Sequence, residues 1–128
     1  MKERDFQTNF NKWLKYNWTM TSAFELKMAK GKSMPFNAVK EHQITALELA
    51  GAKLVYKIAD DSRGTKPFDC FMIASSPGYV VIMFYKRGQK EFIIIEVSNF
   101  VKEMKISKRK SLTEQRAKEI AYRIGILK

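Results

Sequence analysis

Ala23-Phe24-Glu25-Leu26-Lys27-Met28, running into the basic turn Lys30-Gly31-Lys32, is the stretch on which the reading of this chain depends. Phe24, Leu26 and Met28 alternate with Ala23, Glu25 and Lys27, which is the period of two of a half-buried strand. One face of that strand is apolar, and the other carries an acid and a lysine two residues apart. Upstream, Phe6, Phe10, Trp13 and Leu14 recur at helical spacing, so Arg4 to about Tyr16 is expected as an amphipathic helix with its aromatics packed inward. Downstream, Asn37 can cap a helix from Ala38 to Ala50 that Gly51 ends, with Val39, Gln43, Ala46, Leu47 and Ala50 as its inward stripe.

Further along, four strands are expected at Lys53 to Ala59, Phe68 to Ala74, Tyr79 to Tyr85 and Glu91 to Val97. Turn signals at Asp60 to Gly64, Pro77-Gly78 and Arg87-Gly88 separate them. Ser111-Leu112-Thr113-Glu114 is a capping-box sequence that opens a last helix to about Ile124. The order α, β, α, four β, α describes an α/β fold with one mixed sheet flanked by helices. Lys105 to Lys110 is the one linker-like stretch, and 128 residues suit a single core, so residues 1–128 are expected to form one domain.

The balance of 24 Lys and Arg against 13 Asp and Glu leaves a net charge of +11. Such a surplus repels itself unless an anionic partner neutralises it, and nucleic acid is the first candidate; charge alone also fits a basic protein with no polyanion partner. Over residues 101–128, nine basic residues stand against three acidic ones. Lys108, Arg109, Lys110 and Arg116 are the expected phosphate contacts there, with the amides of the following helix beside Ser107 to Ser111. Lys30, Lys32 and Arg63 extend the patch if their loops gather near it. Cys70 is the only cysteine, which excludes disulfides and cysteine-clustered zinc within one chain and suits a reducing cytoplasm. No signal-like segment opens the sequence and no run approaches the roughly 18 apolar residues of a membrane span, so a soluble cytoplasmic protein is expected.

The candidate chemistry lies on the polar face of the first strand. An acid-x-Lys match occurs about twice by chance in such a composition, and Glu103-Met104-Lys105 is a second one, in a charged stretch best read as a solvated face. Glu25-Leu26-Lys27 differs in standing on a strand directly before a basic turn and a helix. Gln43 falls in the apolar stripe of that helix, where an amide is costly unless hydrogen-bonded. It is either a satisfied core glutamine or a group that supports the strand's polar face. His42, the sole histidine, reads as a packing or capping residue, and without a second histidine most nucleophile-and-base hydrolase schemes fall away. Asp69 interrupts an otherwise apolar strand in Lys66-Pro67-Phe68-Asp69-Cys70-Phe71, where a carboxylate pays for desolvation unless it meets a cation. The plainer alternative is a strand-end aspartate in solvent.

Strand Glu25-Leu26-Lys27, the loop Lys30 to Phe36 and a helix bearing Glu41-His42-Gln43 together resemble the RecU-type Holliday-junction resolvases of the PD-(D/E)XK nuclease superfamily, over residues 20 to 60. The resemblance implies a restriction-endonuclease-like fold, a homodimer, and Mg²⁺- or Mn²⁺-dependent cleavage of branched DNA to a 5′-phosphate and a 3′-hydroxyl. Glu25 would ligate the metal together with the Leu26 carbonyl, Lys27 would attend the attacking water or scissile phosphate, and Gln43 would support the site. The family's aspartate usually precedes the acid-x-Lys pair, whereas here only Glu3 and Asp5 do, within the first helix. Asp69, in a sequence like the superfamily's Pro-x-Asp strand, is the expected replacement in a rearranged site, its strand lying beside that of Glu25. Asp60 is a further ligand or simply a turn residue. The rival reading is a non-catalytic DNA-binding module on the same fold, and RNA binding is weaker because the aromatics fall at core spacings.

Overall fold

The structure, a computed structural model, describes residues 2–19, 22–51, 54–58, 70–74 and 77–127, the segments 54–58 and 70–74 by their backbone only. The chain opens with α1 (Glu3–Asn17) and β1 (Ala23–Lys30), as the two periodicities require. A short β2 (Ser33–Pro35) and a 3₁₀ turn (Phe36–Ala38) lead into α2 (Glu41–Ala50). β3 (Leu54–Ile58), β4 (Cys70–Ala74), β5 (Gly78–Tyr85) and β6 (Glu91–Glu96) follow. The chain closes with α3 (Val97–Ile106), β7 (Ser111–Thr113), α4 (Glu114–Glu119) and β8 (Arg123–Ile126).

The result is an α/β unit around a mixed four-stranded sheet in the order β1-β5-β6-β8. β1 runs parallel to β5 in the register Ala23↔Gly78 to Lys30↔Tyr85, and β5–β6 and β6–β8 are antiparallel. The central strands are buried on both faces, as their unbroken apolar runs require. Tyr79, Val81, Met83, Phe92 and Ile94 pack with Phe6 and Phe10 of α1 on one face. Val80, Ile82, Phe84, Ile93 and Ile95 pack with Leu47 of α2 and Phe100 of α3 on the other. Phe10 meets Phe24 and Phe92 edge-on, with ring centroids 5.2 and 5.3 Å apart. No helix among the described residues is long and apolar enough to cross a membrane.

Several expectations change. β3 and β4 pair with each other in a separate two-stranded ladder, Leu54↔Ala74 to Ile58↔Cys70, and β1 pairs with β5, so no described ladder joins β4 to β1. α2 begins at Glu41 rather than Ala38, because Phe36–Ala38 closes as a 3₁₀ turn with Val39 donating to the Phe36 carbonyl. Its buried residues are Ile44 and Leu47, while Ala46 is exposed. Gly51 ends it in an ordinary right-handed conformation, φ −78°, not the left-handed one. The stretch after Glu96 is a helix, α3, where a strand ending at Val97, a solvated charged stretch around Glu103 and a linker from Lys105 were expected. The expected helix from Ser111 to Ile124 divides instead. Thr113 is the true cap, its Oγ1 accepting the Arg116 N–H at 3.1 Å, and the chain leaves α4 to become sheet edge β8. Gly125 permits that edge, since a Cβ there would lie 2.3 Å from the Phe92 ring.

Candidate functional site on the polar face of β1

Alternation along β1 sorts its side chains. Phe24, Leu26 and Met28 join the α1 cluster, while Ala23 and Ala29 join the α2 cluster. Glu25 and Lys27 share the parity of Ala23 and Ala29 and therefore point toward α2. There the Lys27 Nζ lies 3.4 Å from Glu25 Oε1, and both side chains are only partly exposed, at 19% and 29%.

Gln43 completes the group. Its Nε2 donates to the same Glu25 oxygen at 2.9 Å, and its Oε1 accepts the backbone N–H of Lys40 at 2.8 Å. The backbone donor fixes the amide's orientation, because only the oxygen can face it, which turns the NH₂ toward the carboxylate. Gln43 stands at the third position of α2, where the first turn has unpaired N–H groups to satisfy. One side chain thus caps the helix and positions Glu25 Oε1. The other carboxylate oxygen, Oε2, has no hydrogen bond or ion pair among the described residues.

What brings α2 close enough is a glycine. Gly78 opens β5 opposite Ala23, and a Cβ there would lie 2.5 Å from the Leu47 carbonyl oxygen. The α2 backbone is pressed against the strand at Leu47, one turn beyond Gln43.

The other expected metal ligands, Asp69 and Asp60, lie outside the described residues, as does Arg63 of the expected phosphate-binding patch. Among the described residues no three of His, Cys, Asp and Glu converge. Glu25 Oε2 is nonetheless a suitable hard ligand for Mg²⁺ or Mn²⁺. β1 is an edge of the described sheet, so its backbone, that of Leu26 included, has a strand partner on one side only. His42 is exposed.

The basic residues divide in two. The β2–β7 ladder pairs Ser33 with Thr113 and Pro35 with Ser111, and backbone bonds extend it at both ends, from Glu114 N–H to the Lys32 carbonyl at 2.7 Å and from Phe36 N–H to the Lys110 carbonyl at 3.0 Å. The loop carrying Lys108, Arg109 and Lys110 is thereby tied to the segment carrying Lys30 and Lys32, and all five residues are exposed. Lys40, which no sequence motif singles out, is exposed beside Gln43 at the α2 N-terminus. Its position before a glutamine that reaches back to its N–H is the one signal that could have found it.

Arg116, Lys118 and Arg123, by contrast, are held in structural contacts. Arg116 makes a two-pronged contact with Glu103, 2.8 Å from Nε and 3.0 Å from Nη2, and a third at 2.8 Å to Glu119. Glu103, expected from sequence to be solvated, is 8% exposed. The Arg116 hydrogen bonds hold its carboxyl below the usual carboxylate range against the opposing effect of burial. Lys118 pairs with Glu91 at 2.8 Å, and Arg123 donates to the Asn17 carbonyl while lying over the Trp13 ring. Because β7 separates loop 107–110 from α4, the helix amides are not at that loop either. Comparison with protein-family models, with curated proteins and with solved structures gives no match.

Proposed function

We propose that the chain is a metal-dependent DNA endonuclease with a restriction-endonuclease-like fold, acting on branched DNA in the manner of a Holliday-junction resolvase. The observation that carries this is the convergence of Gln43 and Lys27 on one oxygen of Glu25, with the other oxygen unpaired among the described residues. A core glutamine needs no carboxylate partner, and a solvated carboxylate needs no amide tied to a helix terminus. Glu25 Oε2 would hold the divalent cation, and the bound ion would supply Lewis acidity to a water and to the phosphate. Gln43 keeps the carboxylate from rotating. Lys27 orients the attacking water or balances charge developing on the phosphate. Asp69 and Asp60 are the proposed additional ligands. Lys30, Lys32, Lys40 and the 108–110 loop would hold the DNA backbone by charge.

The test is incubation with labelled four-way junction and duplex DNA, with and without Mg²⁺ or Mn²⁺. Cleavage to 5′-phosphate and 3′-hydroxyl ends is expected, lost by orders of magnitude in Glu25→Ala and in Lys27→Ala while DNA binding survives. Cleavage that persists in both variants would falsify the assignment. A second reading, a non-catalytic DNA-binding module, is favoured by the single carboxylate in the described site. Under it the wild type binds junction and duplex DNA and cuts neither.

A further inference from the structure

The four-stranded sheet ends at β8, along whose outer side no described strand pairs. Leu127 donates its N–H to the Lys90 carbonyl at 2.9 Å, so the residues bonded to β6 are the odd ones. In an antiparallel ladder the alternate residues turn both backbone groups the other way, which leaves the N–H and C=O of Ile124 and Ile126 facing the open edge. Proline or charge ordinarily guards such positions, whereas here two isoleucines stand 43% and 64% exposed. Between them Gly125 turns to the α1 side, where a Cβ would lie 2.3 Å from the Phe92 ring, so the edge carries no side chain at that point. On the same side Trp13, Tyr16 and Ile126 wall a recess of about 530 Å³, with Tyr16 80% exposed. The surroundings are basic. Lys12 lines the recess, Lys90 is exposed next to Leu127, and Arg123 lies over Trp13. Of the acids on the neighbouring elements, Glu91 is paired with Lys118 and Asp5 accepts the Lys2 N–H. Glu3 stands in the first turn of α1, before the recess begins, and Glu96 lies beyond the paired length of β8.

We propose that β8 receives an added strand from an acidic partner protein, an extended segment in which one aromatic residue is flanked by apolar residues and then by acids. The outward backbone groups of Ile124 and Ile126 bind the segment's main chain. The partner residue opposite Gly125 turns to the same face as Gly125, so its side chain enters the recess, where an aromatic ring meets Trp13 and Tyr16. Its two neighbours turn to the other face and lie against Ile124 and Ile126. The residues beyond them return to the α1 side near Lys12 and Arg123, where carboxylates are favoured by charge. A nucleic acid offers no row of alternating donors and acceptors at this spacing. A second copy of the chain would bring the same cations toward each other. The association does not depend on the nuclease reading, since the recess and the edge lie across the sheet from the polar face of β1.

Fluorescence anisotropy with the labelled peptide Asp-Glu-Val-Trp-Val-Glu-Asp reads the association without reference to cleavage, so its failure and that of the nuclease reading are separate. Saturable binding at micromolar concentration is expected, and exchanging the peptide's acids for lysines should abolish it. Ile126→Pro removes an outward N–H but no bond to β6, and Tyr16→Ala removes a wall of the recess. Each should weaken binding about ten-fold with circular dichroism unchanged. A wild type that does not bind the acidic peptide overturns the proposal, as does binding that both variants leave undiminished. Oligothymidylate that binds the wild type but not Tyr16→Ala would make the recess a site for stacked bases, and overturns it as well.

Discussion

Gln43 joins two roles in one amide, because the same side chain satisfies a helix-terminal N–H and fixes a carboxylate. On the proposed nuclease reading, Gln43→Ala should lower cleavage about 10- to 100-fold, the range for partners that orient a metal ligand. Gln43→Glu, which keeps the cap but sets a second carboxylate against Glu25, should not rescue it. Equal rates in wild type and Gln43→Ala, measured on junction DNA, would assign the amide to capping alone. Glu25, Lys27 and Gln43 were legible in the sequence because two local rules pointed at them: period-two alternation and an amide in an apolar stripe. Glu103 was not. Its partner, Arg116, lies thirteen residues away on another helix, and among Lys102, Lys105 and Lys108 a glutamate looks solvated. Its folded carboxyl is held low, so the pair contributes its stability above the ordinary carboxylate range and loses it as pH falls through that range to the folded value. Arg116→Ala should therefore melt earlier than wild type at neutral pH and lose part of the wild type's acid sensitivity. Removing Glu103 should cost less, because Arg116 is the half-exposed partner and can turn to water. Thermal melts of both variants between pH 3 and 7, an interval set by the ordinary carboxylate value of about 4.5, check this order.

Helix α2 reaches the site because β5 begins with a residue that has no side chain. Gly78→Ala would drive a Cβ into the Leu47 backbone, and since backbone cannot rotate away, α2 must shift outward. Overpacking of this kind costs about 1–3 kcal/mol, and the displacement also pulls Gln43 from Glu25. Cleavage should fall more than DNA binding does, and a variant as active as wild type at a temperature where both are folded would show that the α2 seat does not matter. At this level the sequence was legible wherever one local signal was long. α1, β1, β5 and β6 each carry an uninterrupted period or apolar run, and all appear within a few residues of expectation. α3 is hidden in the sequence although Val97, Phe100, Val101 and Met104 stand at helical spacing, because the apolar strand β6 runs into it without a glycine or proline. The last helix is shorter than expected for a comparable reason. A capping signal marks a start, but nothing local says that Tyr122 to Ile126 will be claimed by the edge of β6, a pairing set by the whole sheet.

Charge is a property of the whole molecule, and the fold decides which part of it is free to meet the proposed DNA partner. Of the basic residues after position 100, Arg116, Lys118 and Arg123 are held by Glu103, Glu119, Glu91, Asn17 and Trp13. Lys108, Arg109 and Lys110 are exposed and are tied by the β2–β7 ladder to the segment of Lys30 and Lys32. That separation predicts two behaviours that a uniformly basic surface would not show. Reversing Lys108, Arg109 and Lys110 to glutamate should weaken binding to every DNA sequence alike and reduce the slope of log affinity against log salt by about 2–3, near 0.9 for each phosphate no longer neutralised. Arg116→Ala should leave the slope unchanged at a temperature where it is folded, although it removes the same unit of charge. Fluorescence anisotropy across a salt series distinguishes the two. If Arg116→Ala flattens the slope as each loop residue does, its ion pairs open on binding and the DNA surface extends over α4; if the loop triple leaves the slope intact, the DNA lies elsewhere.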